Sequence, residues 1–422
     1  MGTCFSYGNR LLQRQVARLN RVQNITLIGA GTMGIGIGID LLNKTAYRVT
    51  FIDISDEALA RAKKEITAYA EAQAAGGRML PEDLEAWLAR VEYTGDYSSL
   101  GDAEIIWEIA TERLDVKKLI FGQIEKHVDL GKLLFVFSNT SSHTTGELAV
   151  LFEDRFLRDR FLTGHGYFPF HLNRLFDVMK GKYATEETFM AGVAFAEQIL
   201  EKKTMALVND HHGYIADPIF QGMGAIVSWD VQSGQDLVDL AAVFNMITAN
   251  PFEVLDRTGH MPYTESSHHL GSALPEDDRL RSIYNIDGRH YPQWIEDLEK
   301  AGSIGVSSPA KEGFFKWQGK PGREKPVAAY DPSTGGYVPF AASDSAAYWS
   351  SAEAKDMGGK TFRRYVVPIL LYGLDLIQDG YATAGDVNSA TKVGLRFKNG
   401  LVEIIDAFLN HFGIDGVLAL AR

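Results

Sequence analysis

The feature that most constrains this chain is Gly29-Ala30-Gly31-Thr32-Met33-Gly34, set between a short apolar run over 24–29 and a stretch carrying Ile35, Ile37, Ile39, Leu41 and Leu42. A strand leading through such a turn into a helix lets backbone approach a pyrophosphate. Gly29 permits the tight turn, Gly31 the close approach, and Gly34 the packing of helix on strand. The helix start adds N–H groups and a positive dipole end. A second strand is expected over 48–54, and Asp53 lies nineteen residues after Gly34. A carboxylate there accepts hydrogen bonds from ribose hydroxyls and repels a 2′-phosphate. Gly29, Gly31, Thr32, Met33, Gly34 and Asp53 are therefore expected to hold NAD rather than NADP. The plainer alternative is a glycine turn that only packs a helix on a sheet, with Asp53 as a loop acid.

The β-α rhythm continues. Ser55 reads as a helix N-cap with Asp56 and Glu57 in the first turn, followed by Leu59, Ala62, Ile66 and Tyr69 at helical spacing. Residues 70–98 read as a polar helical pair broken at Gly76-Gly77 and Pro81, and strand-like runs follow over 103–110, 133–138 and 161–168. Strands alternating with helices imply a parallel, doubly wound sheet. After 208 the strand signals fade, and Ile215, Ile219, Met223, Ile226 and Val227 begin a helical pattern. The expected organisation is a leader over 1–22, an α/β Rossmann-type domain over 23–208, an all-α domain over 209–318, a Gly/Pro/Ser/Ala-rich linker over 319–355 and a second all-α unit over 356–422. The helical parts read as distant repeats through the related segments 250–256 and 399–406.

At 422 residues with 45% hydrophobic content the chain is long enough for two or three globular domains. A net charge of −12 argues against a nucleic-acid partner. The single cysteine, Cys4, excludes an internal disulfide framework and a zinc site of several thiolates, which fits the reducing cytoplasm. No apolar run approaches the roughly 18 residues that span a bilayer. The first residues allow three readings: an N-acylation pattern in Met1-Gly2-Thr3-Cys4-Phe5-Ser6, an organellar presequence carrying Arg10, Arg14, Arg18 and Arg21, or an accessory helix or disordered leader. The pairs His211-His212 and His268-His269 read as loop polarity, and no metal is expected.

Oxidising an alcohol requires a base for the hydroxyl proton, and a histidine held by a carboxylate supplies one. His165 lies in a strand-like run, and Asp177 follows twelve residues later in Leu175-Phe176-Asp177-Val178-Met179. Adjacent strands would bring the two together. On spacing alone, a histidine in an apolar strand is more often a satisfied core residue.

The assembled pattern resembles the L-3-hydroxyacyl-CoA dehydrogenase family over nearly the whole chain from residue 24. That family carries the G-A-G-T-M-G turn, an I-E-A-V-x-E-N-like segment, S-N-T-S-S, H-F-F-N-P, a glutamate twelve residues on in L-V-E-V, and P-G-F-I-x-N-R opening a helical domain. Here those places hold Trp107-Glu108-Ile109-Ala110-Thr111-Glu112-Arg113, Ser138-Asn139-Thr140-Ser141-Ser142, His165-Gly166-Tyr167-Phe168-Pro169, Asp177, and His212-Gly213-Tyr214-Ile215-Ala216-Asp217-Pro218. Glu312-Gly313-Phe314-Phe315-Lys316-Trp317 is similar to the G-F-Y-x-Y that ends the helical domain, and the last helical unit resembles the second copy of fused hydratase-dehydrogenases.

The resemblance implies that His165 takes the 3-hydroxyl proton, that Asp177, in place of glutamate, holds the imidazole, and that Ser141 bonds the substrate oxygen. Glu112 and Lys117 would lie near the nicotinamide, with Asn139 in the cofactor site; solvated helix charges are the plainer reading of Glu112 and Lys117. An acyl-CoA is the implied substrate. No hydratase segment follows Arg422, which leaves a separate enoyl-CoA hydratase as the expected partner, and either a monomer or a homodimer fits the second helical copy.

Departures cluster on the substrate side. Asp217 replaces an asparagine that both donates and accepts, whereas an ionised carboxylate only accepts. Asp217 before Pro218 also reads as a helix N-cap. Phe168 and Gly166 replace asparagine and phenylalanine. Two alternatives to (3S)-3-hydroxyacyl-CoA oxidation therefore stand: a dehydrogenase of another hydroxy compound, and a non-catalytic NAD-binding relative.

Overall fold

The computed structural model of the chain describes residues 9–244, 248–283, 291–320, 323–339, 364 and 366–421. They divide into two units, one ending at His211 and one beginning at His212, three residues after the expected boundary.

In the first unit, β1 (Asn24–Ile28), α2 (Thr32–Lys44), β2 (Arg48–Ile52), α3 (Asp56–Ala75), α4 (Pro81–Leu88), β3 (Val91–Thr94) and β4 (Ile105–Glu108) come first. They are followed by α5 (Leu114–His127), β5 (Phe135–Ser138), α6 (Thr145–Ala149), α7 (Arg155–Arg158), β6 (Phe161–Gly166), β7 (Leu175–Met179), α8 (Glu186–Ala194) and β8 (Lys203–Leu207). The sheet order is β3-β2-β1-β4-β5-β6-β7-β8. β1 to β6 are parallel, β7 pairs antiparallel with β6, and β8 runs parallel to β7.

Helices cover both faces, so the central strands are apolar throughout rather than alternating. Leu27, Phe51, Trp107 and Phe137 face one layer with α2, α3 and α8, while Ile28, Ile52, Ile106 and Val136 face the other with Phe121 and Ile124 of α5. Strand order reverses between β1 and β4, and ligands of such sheets bind there, beyond the carboxyl ends of the strands.

Three sequence expectations change in this unit. The 70–98 stretch holds the two helices but also β3, a four-residue edge strand of mixed polarity, three residues half-buried and Glu92 exposed, which is too short to show a strand period. β8 was likewise hidden. Residues 9–22 take the accessory-helix reading, as part of this unit rather than a separate leader: α1 (Asn9–Leu19) carries Leu12, Val16 and Leu19 on one stripe, Leu19 and Val22 enter the core beside α8, and Arg18 meets Glu187 at 2.6 Å. The acylation pattern at 1–6 lies outside the described residues.

The second unit begins with α9 (Ala216–Ser228), α10 (Gly234–Phe244), α11 (Pro251–Thr258), α12 (His260–Ala273) and α13 (Gln293–Lys300). It is not all-α. β9 (Phe315–Gln318), at the end of the expected helical domain, and β10 (Lys325–Asp331) and β11 (Gly336–Pro339), where a linker was expected, form a three-stranded antiparallel sheet. The Gly/Pro-rich signal there marks a hairpin turn: Gly335, at φ +68°, donates its N–H to Asp331 O at 2.9 Å, and Asp331 Oδ1 accepts the Ser333 N–H. The rest of the expected linker, 340–355, lies outside the described residues.

Asp256 fastens this sheet. Its buried carboxylate accepts the N–H groups of Phe314 and Phe315 and the Trp317 indole, each at 2.8 Å, and lies 2.6 Å from His260 Nε2. Helices Val367–Gln378, Ala384–Ser389 and Leu401–Ala421 close the chain, the last kinked at Gly413. The two supposed repeat turns differ in detail. Asn250 caps α11 through the Phe252 N–H, whereas Asn388, not Asn399, receives the Val402 and Glu403 N–H groups. His268 and His269 lie on α12, not in a loop.

Candidate active site

The glycine turn has the shape its sequence predicts. Gly29 sits at φ +118°, and a Cβ on it would lie 2.7 Å from Ile109 O; a Cβ on Gly34 would lie 2.2 Å from Gly29 O. Both closures are backbone against backbone, so only glycine fits. A Cβ on Gly31 would meet nothing within 4 Å, and no side chain caps α2 there, which leaves an open cradle before the helix. That cradle fits a dinucleotide pyrophosphate. Thr32 is exposed and Met33 packs on the core. Asp53 ties the turn to the end of β2: Oδ2 accepts the Ala30 N–H at 2.8 Å and Oδ1 the Ser55 N–H at 2.9 Å. Its remaining lone pairs can receive hydroxyl donors.

A buried ion pair lies under the ends of β4 and β5. Lys117 Nζ is 2.7 Å from Glu108 Oε2, both side chains are fully enclosed, and Ser138 Oγ donates to the same oxygen at 2.5 Å. The Ala110 N–H completes the set on Glu108 Oε1 at 2.9 Å. Lys117 is therefore no solvated helix charge; its ammonium is committed to Glu108. Sequence reasoning missed Glu108 as a site residue, although an acid ending the run Ile105-Ile106-Trp107 signals a buried charge that needs a partner.

Beside this pair, Glu112 gathers the turn after β5. It accepts the Thr140 hydroxyl at 2.6 Å, the Ser141 N–H at 2.6 Å and the Ser141 hydroxyl at 2.9 Å. Burial would raise its pKa, but Lys117, His143 and these donors outweigh burial and hold the carboxyl below its ordinary value. His143, also missed, is buried with Nε2 2.8 Å from Glu112 O. Burial lowers its pKa less than Glu147 and Glu112 raise it, so the imidazole is held above its ordinary value. Asn139 accepts the Gly166 N–H at 3.2 Å and so joins the ends of β5 and β6.

The β6–β7 register makes His165 and Asp177 direct cross-strand partners. Antiparallel pairing of these two strands, rather than sequence proximity, brings them together. Nδ1 of His165 is 3.9 Å from Asp177 Oδ2, and the Tyr167 hydroxyl donates to that oxygen at 2.5 Å. Burial pushes the Asp177 carboxyl above its ordinary range, against the lowering effects of His165 and Tyr167. Gly166 is glycine because Phe170 fills the adjoining space: a Cβ would lie 2.2 Å from its ring. Phe168 is half-buried.

Asp217 belongs to the second unit. It is the second residue of α9, whose N-cap is Ile215, so the N-cap reading is corrected; the carboxylate is buried in the first helical turn instead. The preceding turn bends at Gly213 and Tyr214, at φ +73° and +59°.

Residues 24–211 match the family model described as 3-hydroxyacyl-CoA dehydrogenase, NAD binding domain. This match makes the first unit similar to the NAD-binding domain of 3-hydroxyacyl-CoA dehydrogenases. The matched residues are an NAD-binding domain.

Among solved structures, a 3-hydroxybutyryl-CoA dehydrogenase of Escherichia coli has a similar fold, with a TM-score of 0.66 at 20% identity over 95% of this chain and 93% of that chain. The (S)-3-hydroxybutyryl-CoA dehydrogenase of Ralstonia eutropha follows at a TM-score of 0.54 and 21% identity, covering 69% of this chain and 98% of that one. A diketoreductase, described as acting on dicarbonyl compounds, has a TM-score of 0.51 at 20% identity over 70% of this chain and 99% of its own. At such identities these likenesses establish the fold alone.

Proposed function

We propose that this protein is a 3-hydroxyacyl-CoA dehydrogenase that oxidises a (3S)-3-hydroxyacyl-CoA to the 3-oxoacyl-CoA, as in fatty-acid or related acyl-CoA β-oxidation. The observation that carries the reading is the cross-strand pairing of His165 with Asp177 in a domain that also holds the open glycine cradle. Gly29, Gly31 and Gly34 hold the dinucleotide backbone, and Asp53 takes the adenosine ribose. NAD, when bound, accepts the hydride from C3 of the alcohol. His165 takes the hydroxyl proton on Nε2, since Nδ1 faces Asp177, and the C3–O bond becomes a carbonyl. Asp177 orients the ring and favours its protonated form. Ser141, anchored on Glu112, presents its hydroxyl oxygen beside the reacting group.

A second reading keeps the chemistry and changes the alcohol. Phe168 and Asp217 support it, because an apolar ring and an acceptor-only carboxylate replace two amides. Rates of NADH formation with 3-hydroxybutyryl-CoA against free 3-hydroxy acids separate the two. A preference for the thioester supports the first reading, and turnover of free acids alone replaces it with the second. NADH binding with no oxidation of any hydroxy compound tried would instead make the chain a non-catalytic relative.

No described helix is long and apolar enough to cross a membrane. Within this proposal the enzyme works in the cytoplasm, as a monomer or homodimer, beside a separate enoyl-CoA hydratase.

A further inference from the structure

We propose that the Tyr167 hydroxyl positions the base, acting through Asp177 rather than on the substrate; this rests on the reading of His165 as that base. Where the family pattern has phenylalanine and glutamate, this chain has Tyr167 and Asp177. The carboxylate is one methylene shorter, and a hydroxyl has been added opposite it. Tyr167 OH lies 2.5 Å from Asp177 Oδ2, the same oxygen that faces His165 Nδ1 at 3.9 Å.

The backbone builds this arrangement. His165 lies on β6 opposite Asp177, and Tyr167, the first residue beyond β6, reaches the same carboxylate that β7 brings across. The tyrosine ring stands edge-on to the imidazole, with centroids 4.6 Å apart at 81°. Gly166 between them adds no side chain, and Phe170 fills the space it leaves. Asp177 is fully enclosed, so its rotamer is set by its donors. With Tyr167 holding one oxygen, the carboxylate keeps a single orientation towards His165, and the hydroxyl also favours its ionised form against burial. Tyr167, Asp177 and His165 thus form a three-membered relay.

The test is a double-mutant cycle of Tyr167→Phe and Asp177→Asn, read by kcat and KM for 3-hydroxybutyryl-CoA, the NADH Kd, and the histidine 15N shifts that report the His165 tautomer. Tyr167→Phe is expected to lower kcat about tenfold, the loss that a hydrogen bond to a charged group sets. KM and the NADH Kd stay within about twofold. In the Asp177→Asn background the same substitution changes kcat less than about twofold, because its route has been removed. Tyr167→Phe/Asp177→Glu regains most of the activity, the longer acid doing without the hydroxyl. Unchanged kcat in Tyr167→Phe, or an equal loss in both backgrounds, overturns the proposal. If the unaltered enzyme oxidises no hydroxyacyl-CoA, the functional reading fails separately. The 15N shifts then still decide on Tyr167, an unchanged tautomer in Tyr167→Phe counting against it.

Discussion

Lys117→Met tests whether the buried pair beneath β4 and β5 holds the cofactor domain together. Lys117 and Glu108 are both fully enclosed and 2.7 Å apart. Removing the ammonium leaves a buried carboxylate, a change that costs about 3–5 kcal/mol. Glu108 keeps the Ser138 hydroxyl and the Ala110 N–H, each a hydrogen bond to a charged group, so the loss falls at the low end, about 3 kcal/mol. In a unit of about 200 residues each 1 kcal/mol moves the midpoint by about 2–4 °C, which gives a fall of roughly 6–12 °C. Thermal unfolding followed by circular dichroism, without NADH, reads this directly. Lys117→Met/Glu108→Gln should recover most of the loss, because neither charge is then stranded. A midpoint within about 2 °C of the unaltered protein, or a double variant no better than the single, refutes the reasoning.

The glycine turn separates folding from binding. Gly34→Ala pushes a Cβ to within 2.2 Å of Gly29 O and should cost about 1–3 kcal/mol in urea unfolding. Gly31→Ala meets nothing and should leave stability within about 0.5 kcal/mol, yet raise the NADH Kd at least about tenfold because the pyrophosphate needs that space. Asp53→Asn removes the charge that repels a 2′-phosphate and should narrow the preference for NADH over NADPH in fluorescence titrations. Asp177→Asn should raise the melting midpoint at pH 7. Its folded pKa is raised by burial, so the unfolded carboxyl ionises first as pH rises. The native state is therefore disfavoured increasingly above the unfolded pKa of about 3.9, and the gain from Asn should vanish below it.

What the sequence disclosed depended on how local the physics was. Gly29, Gly31 and Gly34 were legible because one turn fixes all three, and Ser55 was legible as a cap because its hydroxyl bonds the Ala58 N–H within its own helix. The His165–Asp177 contact needed a register between two strands, which spacing suggests but only the antiparallel β6–β7 pairing provides. Glu108 and His143 escaped notice because their partners, Lys117 and Glu112, come from other elements. Tyr167 was visible as a residue, but its role depends on a carboxylate delivered by β7. The β10–β11 hairpin read as a linker because glycine, proline and serine mark a tight turn as readily as a flexible tether. Asp217 illustrates the converse: its pairing with Pro218 gave a plausible cap, but α9 begins at Ala216, one residue earlier.

The central claim is that His165 is the base of an NAD-dependent 3-hydroxyacyl-CoA oxidation, and His165→Ala tests it most directly. NADH formation from (3S)-3-hydroxybutyryl-CoA is followed at saturating NAD, with the NADH Kd measured on the same preparation. The account predicts a rate lower by about 10²–10⁴ with the Kd within about twofold, since His165 moves a proton and does not hold the dinucleotide. A variant that oxidises the thioester as fast as the unaltered enzyme would contradict it.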